Sequence, residues 1–315
     1  MGAPYLWLLA IVAAIFIAVL CVVWFRGRGP ASAEAPAEGW LNQHPNLQPR
    51  YLEFDDERIF FIQTGKGPDV VLLHGIGASV FIWRFLILLL SKNYRVTALD
   101  IPGFGRSSKK ADVDYGLDAQ RKRINVFLDA LKIRRAYLVG SSMGGAIALW
   151  MSHEDPLRYP KVATLAPATS PELIPRRLSK LVAHAPFAYK TLNHRTMGMI
   201  LGYVVSKREL INSETIEAYL EPYLDRGVSV RTFLAALQLL GDRRMPKCFE
   251  GMRSKILIIQ GERDRLVKMR SILRLAKVLG SAAVLVTCPD GGHHIMEDEP
   301  EWTAAELGRF FATSE

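Results

Sequence analysis

Cysteine is scarce in this chain. Its three copies, Cys21, Cys248 and Cys288, form neither a disulfide framework nor a set at metal-ligand spacing. No internal repeat is present. Charge of either sign is missing from Tyr5 to Phe25, a run about as long as a bilayer-spanning helix requires. Tyr5, Trp7 and Trp24 stand near its ends, where amphipathic rings favour the membrane interface. No Lys or Arg precedes the run, which argues for an uncleaved anchor. A cleaved signal peptide is the competing reading, with Ala31-Ser32-Ala33 as its processing site. Arg26 and Arg28 follow the run, so the positive-inside rule predicts a single-pass anchor with the body of the chain on the cytoplasmic side. The whole chain carries 40 basic against 31 acidic residues. They are scattered in short pairs and no nucleic-acid-binding motif accompanies them, so nucleic acid is not the expected partner. A basic surface beside an anionic membrane fits the composition better.

Half of the 315 residues are hydrophobic, ample for a sizeable core. Residues 1–28 read as the anchor and 29–45 as a linker rich in Pro, Ala, Gly and Glu. Arg50–Phe54 and Arg58–Gln63 suit an opening hairpin turning at Asp55-Asp56. Short apolar runs at Asp69–Leu73, Tyr94–Leu99, Ala136–Val139 and Val162–Ala166 then alternate with helical stretches at Phe81–Leu90 and Leu117–Ile133. That rhythm means a mostly parallel sheet with helices on both faces. It breaks off between 170 and 248, where helical text is interrupted by Pro171, Pro175, Pro186 and Gly227, and this reads as an inserted helical cap. It resumes with Lys255–Gln260, a helix over Met269–Leu279, the strand Ala283–Thr287 and a last helix from Thr303. The core is thus expected in two parts, 46–169 and 249–315.

The chemistry centres on Gly140-Ser141-Ser142-Met143-Gly144-Gly145, between a strand and a helix. Gly-x-Ser-x-Gly in that setting is the pattern of a nucleophile elbow. A serine hydroxyl is a poor nucleophile and needs a base, and the base needs an orienting acid. Ligand sites in such sheets open at the C-terminal ends of the strands. There the chain offers Asp264, in Gly261-Glu262-Arg263-Asp264, and His293, in Asp290-Gly291-Gly292-His293-His294. Glu262 is an alternative acid, and Asp264 could instead pair with Arg263 or Arg265. His294 is an alternative base; His293 is preferred because it directly follows the glycine pair. An anion site would use the backbone N–H groups of Met143 and of Ile76, in His74-Gly75-Ile76-Gly77. Gly75, Ile76 and Met143 are therefore the expected substrate contacts. His74 and Asp100 read as structural residues holding their loops.

These stretches, with Asp100-Ile101-Pro102-Gly103-Phe104-Gly105-Arg106-Ser107 and Glu299-Pro300, resemble the α/β-hydrolases. The resemblance covers about residue 50 to the C-terminus. It implies the α/β-hydrolase fold: a mostly parallel eight-stranded sheet, helices on both faces and an inserted helical cap, here preceded by one transmembrane helix. The membrane-anchored monoacylglycerol lipases are nearest in plan. On that likeness Ser142, Asp264 and His293 fall on the family's triad and Ile76 and Met143 on its oxyanion hole, with no metal or organic cofactor. The serine sets the chain apart from the aspartate-using dehalogenases and epoxide hydrolases.

The likeness implies hydrolysis of carboxylic esters, monoacylglycerol-like or medium-chain. The cap text, with Leu181, Val182, Phe187, Met197, Met199, Ile200, Leu201, Tyr203 and Val204, suits an apolar roof over an acyl chain. The alternative is that these residues pack the cap's own helices. Arg176, Arg177, Lys180, Lys190 and Arg195 suit either anionic headgroups or a solvated face. Two other functions stay open. Carbon–carbon hydrolases of ring-fission diketones share the Ser-Met-Gly-Gly elbow, but they usually follow the base histidine with an aromatic residue where this chain has His294. A non-catalytic membrane-bound relative is the third.

Overall fold

The computed structural model describes residues 39–54, 56–110, 112–170, 192–224 and 227–314. The expected span at Tyr5–Phe25, most of the linker, and 171–191 of the expected cap lie outside the described residues. Among the described residues, no helix is long and apolar enough to cross a membrane.

Among the described residues, eight strands form one sheet: β1 (Pro49–Phe54), β2 (Glu57–Thr64), β3 (Asp69–Leu73), β4 (Arg95–Leu99), β5 (Tyr137–Ser141), β6 (Lys161–Leu165), β7 (Lys255–Gly261) and β8 (Ala283–Cys288). Their order is β1-β2-β4-β3-β5-β6-β7-β8. β2 runs antiparallel to both β1 and β4, and every other pairing is parallel. The hairpin closes where expected, with Phe54 opposite Glu57.

Period-two alternation within the strands divides the core. Val71 and Leu73 face α2 (Leu117–Ala130), α3 (Met143–Glu154) and α7 (Met269–Leu279). Val70 and Leu72 face α1 (Arg84–Leu90) and α8 (Pro300–Ala312) on the other side. Each such side chain withdrawn from water contributes about 1.5–3 kcal/mol. Lys161 is buried beneath α8, its ammonium donating to the Phe311 carbonyl at 2.7 Å and so closing that helix's C-terminal end.

Three helix ends differ from expectation. The stretch expected from Phe81 opens as a 3₁₀ turn over Val80–Trp83 and becomes α-helical only at Arg84. The helix from Leu117 stops at Ala130 rather than Ile133. There the chain turns through Lys132 at φ 59°, and the Ile133 N–H returns to the Leu128 carbonyl at 2.8 Å. The last helix opens at Pro300, three residues early, because proline suits the first helical position.

Between β6 and β7 lie α4 (His194–Val204), α5 (Ser213–Leu220) and α6 (Val228–Leu240). This insert reaches the loops beyond the strand ends. The Thr232 hydroxyl donates to the Gly103 carbonyl at 2.6 Å and the Tyr223 hydroxyl to that of Gly77 at 2.9 Å. β3 sits between β4 and β5, so the chain reverses direction across the sheet there. The loops after β3 and β5 bound the crevice where such sheets place their ligands.

Candidate active site

Ser142 stands in the corner between β5 and α3 at φ 51°, ψ −113°, outside the regions open to L-residues without strain. Such a conformation costs about 1–3 kcal/mol and persists only where its surroundings over-determine it. Here they do. The Ser142 N–H donates to the Leu165 carbonyl at 2.9 Å, and its own carbonyl accepts from Ala168 at 3.0 Å. The two flanking glycines are demanded by packing. A Cβ on Gly140 would meet the Gly144 carbonyl oxygen at 2.2 Å, and one on Gly144 would meet that of Leu73 at 2.0 Å. The first intrahelical bond of α3 reaches from Ala146 back to Ser142, so the Met143 N–H lies ahead of the helix's own ladder.

The loop after β3 comes up beside this corner. A Cβ on Gly75 would stand 3.3 Å from the Ser142 Cβ and 3.9 Å from its hydroxyl oxygen, which brings Ile76 to the serine's side. His74 is fully buried beneath the loop. Its Nε2 accepts from the Ile101 N–H at 2.9 Å, leaving Nδ1 to donate to the Gly75 carbonyl at 2.7 Å. Burial pushes its pKa down to about 4, so it is neutral. Asp100 holds the next loop: its carboxyl accepts from the Val80 N–H at 2.6 Å and the Arg106 N–H at 2.7 Å. Burial lifts it to about 7 against those two hydrogen bonds. Both residues hold loops, as their sequence positions suggest.

At the far strand ends, Asp264 and His293 meet. The His293 Nδ1 lies 2.9 Å from Asp264 Oδ2, and both side chains are buried. The other Asp264 oxygen accepts from the Leu266 N–H at 2.7 Å and the Val267 N–H at 3.0 Å. The Gln260 amide donates to Oδ2 at 3.2 Å. Burial pushes the Asp264 carboxyl up, but the His293 ring and these N–H groups outweigh it and hold it below the usual aspartate value. A carboxylate only accepts, so the proton lies on His293 Nδ1 and the lone pair on Nε2.

The other candidates are engaged elsewhere. Glu262 accepts from the Thr287 hydroxyl at 2.9 Å, Arg263 pairs with Asp290, and Arg265 donates to the Gly202 carbonyl at 3.1 Å. The His294 Nδ1 lies 2.7 Å from Glu297 Oε2 and 2.7 Å from the Tyr219 hydroxyl, away from Asp264. Of the expected roof, Met197, Leu201 and Val204 are buried, whereas Met199 and Tyr203 are exposed. Met197 and Leu201 belong to the core on the α1 side of the sheet. Leu181, Val182 and Phe187 lie outside the described residues. No group of three or more His, Cys, Asp or Glu among the described residues could hold a metal ion.

The sequence reading missed Asp298. It accepts from the Gly292 N–H at 2.7 Å and from Ser206 and Lys207 at 2.8 and 3.0 Å, joining the His293 loop to the end of α4. The His293 and His294 N–H groups both donate to the Val204 carbonyl, at 2.8 and 3.0 Å. The signal was a buried carboxylate hidden in the acidic run Glu297-Asp298-Glu299, which reads as a solvated face.

The model of the alpha/beta hydrolase family matches residues 70–306, which is most of the chain and holds Gly75, Ile76, Ser142, Met143, Asp264 and His293. The chain belongs to that family. Among curated relatives, this α/β-hydrolase is 30% identical to the uncharacterized hydrolase YugF of Bacillus subtilis, over 76% of this chain and 89% of that one. It is 26% identical to a 2-hydroxymuconate semialdehyde hydrolase of Pseudomonas, over 79% and 86% of the two chains. It is 24% identical to the bovine (Bos taurus) monoacylglycerol lipase ABHD6, over 85% and 83%. A crystal structure titled as a membrane phospholipase A and bacterial virulence factor has the same fold, with a TM-score of 0.70, 24% identity and coverage of 98% and 96%.

Proposed function

We propose that this α/β-hydrolase is a serine hydrolase of carboxylic esters, acting on monoacylglycerol-like or medium-chain lipid esters. The observation that carries the reading is the buried His293–Asp264 pair at 2.9 Å, beyond the same C-terminal ends of the parallel strands as the strained elbow serine. His293 Nε2 takes the Ser142 proton as the hydroxyl oxygen attacks the ester carbonyl. The backbone N–H groups of Met143 and Ile76 hold the oxyanion that develops. The protonated His293 then gives its proton to the departing alcohol, leaving an acyl group on Ser142. A water, deprotonated by the same Nε2, attacks that acyl carbonyl; the bond to the Ser142 oxygen breaks, the carboxylic acid departs, and His293 returns its proton to that oxygen. Asp264 fixes the imidazole tautomer and stabilises the imidazolium between these steps. This chemistry uses protein groups and water alone. The likeness to a monoacylglycerol lipase and the apolar span expected at Tyr5–Phe25 support a lipid ester met at a membrane, with the body on the cytoplasmic side.

The test is turnover by the full chain of nitrophenyl esters of increasing acyl length, beside Ser142→Ala. The variant is expected to lose about 10³-fold or more in kcat with its fold intact. Ester turnover that survives in Ser142→Ala overturns the reading. Turnover of a ring-fission diketone in place of every ester supports carbon–carbon hydrolysis, and none of either from folded protein supports a binding role.

A further inference from the structure

Behind the proposed base lies a second buried polar cluster that the mechanism above does not use. Glu297 accepts from the Arg84 guanidinium through one oxygen, and from the Tyr219 hydroxyl and His294 through the other. Side-chain exposure is 9% for Arg84, 0% for Glu297 and 7% for His294. Arg84 also donates to the Phe81 carbonyl at 3.1 Å, and its guanidinium lies over the Phe81 ring at 4.0 Å. Burying an ion pair is a weak route to stability, because apolar side chains of similar volume often serve as well. Its position suggests another role. The Tyr219, His294 and His293 rings form a continuous stack, with centroids 6.0 and 5.6 Å apart and planes within 29° and 26°. One end of the stack is rooted in α5 of the insert and the other is the base itself.

Asp264 secures His293 along one edge, through Nδ1, and the backbone N–H is tied to Val204. Neither contact fixes the tilt of the ring plane about that edge. A flat neighbour against the ring face does.

We propose that His294, held in place by Glu297, Arg84 and Tyr219, is a positioning residue for His293, and that through Tyr219 it makes the base's alignment depend on a seated insert. The inference rests on His293 being the base, as proposed above. Misplacing a reacting group by about 1 Å lowers rates as much as 10²-fold. His294→Leu keeps bulk but removes the stack, while Glu297 retains Arg84 and Tyr219 as partners. It is expected to lower kcat about 10- to 100-fold with KM within twofold. His294→Phe restores a flat ring and is expected to recover most of that loss.

A second readout does not need turnover. In the full chain labelled with ¹⁵N-histidine, the downfield proton on His293 Nδ1, identified by its loss in Asp264→Ala, should be sharp in wild type and His294→Phe. It should be broadened or lost in His294→Leu. A folded His294→Leu protein with wild-type kcat and an unchanged resonance overturns the inference, and so does His294→Phe performing no better than His294→Leu. Should His294→Leu fail to fold, Tyr219→Leu removes the stack from the insert's end, and wild-type kcat there overturns it equally. Turnover persisting in Ser142→Ala would instead sink the ester reading, and the resonance would still decide this one.

Discussion

Two histidines adjacent in the chain each bring Nδ1 to a buried carboxylate, His293 to Asp264 and His294 to Glu297, at 2.9 and 2.7 Å. The couples differ in what else the acid holds. Among the described residues, the donors to Asp264 beside the imidazole are N–H groups: two backbone groups of its own loop and the Gln260 amide. Glu297 carries a guanidinium. Burial pushes both carboxyls up and their partners pull both below their usual values, Glu297 to about 2 with Arg84 as the leading cause. The negative charge of Glu297 is therefore already answered, whereas that of Asp264 is left for an imidazolium on His293. A histidine–carboxylate contact thus does not by itself mark a catalytic pair. What separates them is whether a permanent cation shares the acid.

The largest expected effect comes from breaking the first couple. Asp264→Asn keeps the shape and the loop's backbone donors but removes the charge that fixes the His293 tautomer. Turnover of the preferred ester should fall about 10³- to 10⁴-fold, with little change in the denaturation midpoint. A fall of less than tenfold would remove Asp264 from the role given to it. Breaking the second couple should give the opposite profile. Glu297→Gln leaves Arg84 as a buried cation without its anion, which costs about 3–5 kcal/mol of folding stability. Turnover per folded molecule should drop far less than in Asp264→Asn. Chemical denaturation beside active-site titration measures both quantities. If Glu297→Gln were as stable as wild type, the buried Arg84 charge would not depend on Glu297 for its compensation.

The sequence carried much of one couple and little of the other, for physical reasons. Ser142, Asp264 and His293 sit in short glycine-bearing loops after strands whose short apolar runs announce them, so local patterns locate them. The elbow glycines are legible because packing against the Gly144 and Leu73 carbonyls excludes any side chain. Asp264 and Glu262 stand two residues apart after β7, and nothing local tells that one meets His293 and the other the Thr287 hydroxyl. The second couple is assembled across the molecule: Arg84 lies 213 residues from Glu297, and Tyr219 lies 78 from it, in the insert. No local signal joins those positions. The acidic run before Pro300 shows a surface pattern while two of its members, Glu297 and Asp298, are buried.

A third histidine sharpens the comparison, because among the described residues His74 has backbone partners and no carboxylate. With nothing anionic to favour its charged form, burial dominates and sets its pKa at about 4 against 6.5 for the free side chain. Between those values the unfolded chain binds more protons than the folded one, so stability must fall as pH is lowered through 6.5 toward 4. At pH 5 the loss relative to pH 7 is on the order of 2 kcal/mol. Asp100 works in the opposite direction over the same range. Its folded carboxyl, lifted to about 7, takes up protons that the unfolded chain does not, and so adds stability as pH falls from 7. The net pH profile of the wild type therefore hides both groups, and only a difference measurement separates them. His74→Gln removes the histidine contribution and leaves Asp100 in place. The stability gap between wild type and this variant, read from urea midpoints, should narrow by roughly 2 kcal/mol between pH 7 and pH 5. The carboxylates of the two couples do not interfere, since their contributions are lost only as pH falls through and below the ordinary carboxylate values of 3.8 and 4.5. A gap that stayed constant would mean that His74 titrates normally when folded, and that the loop beneath the candidate oxyanion site is open to water.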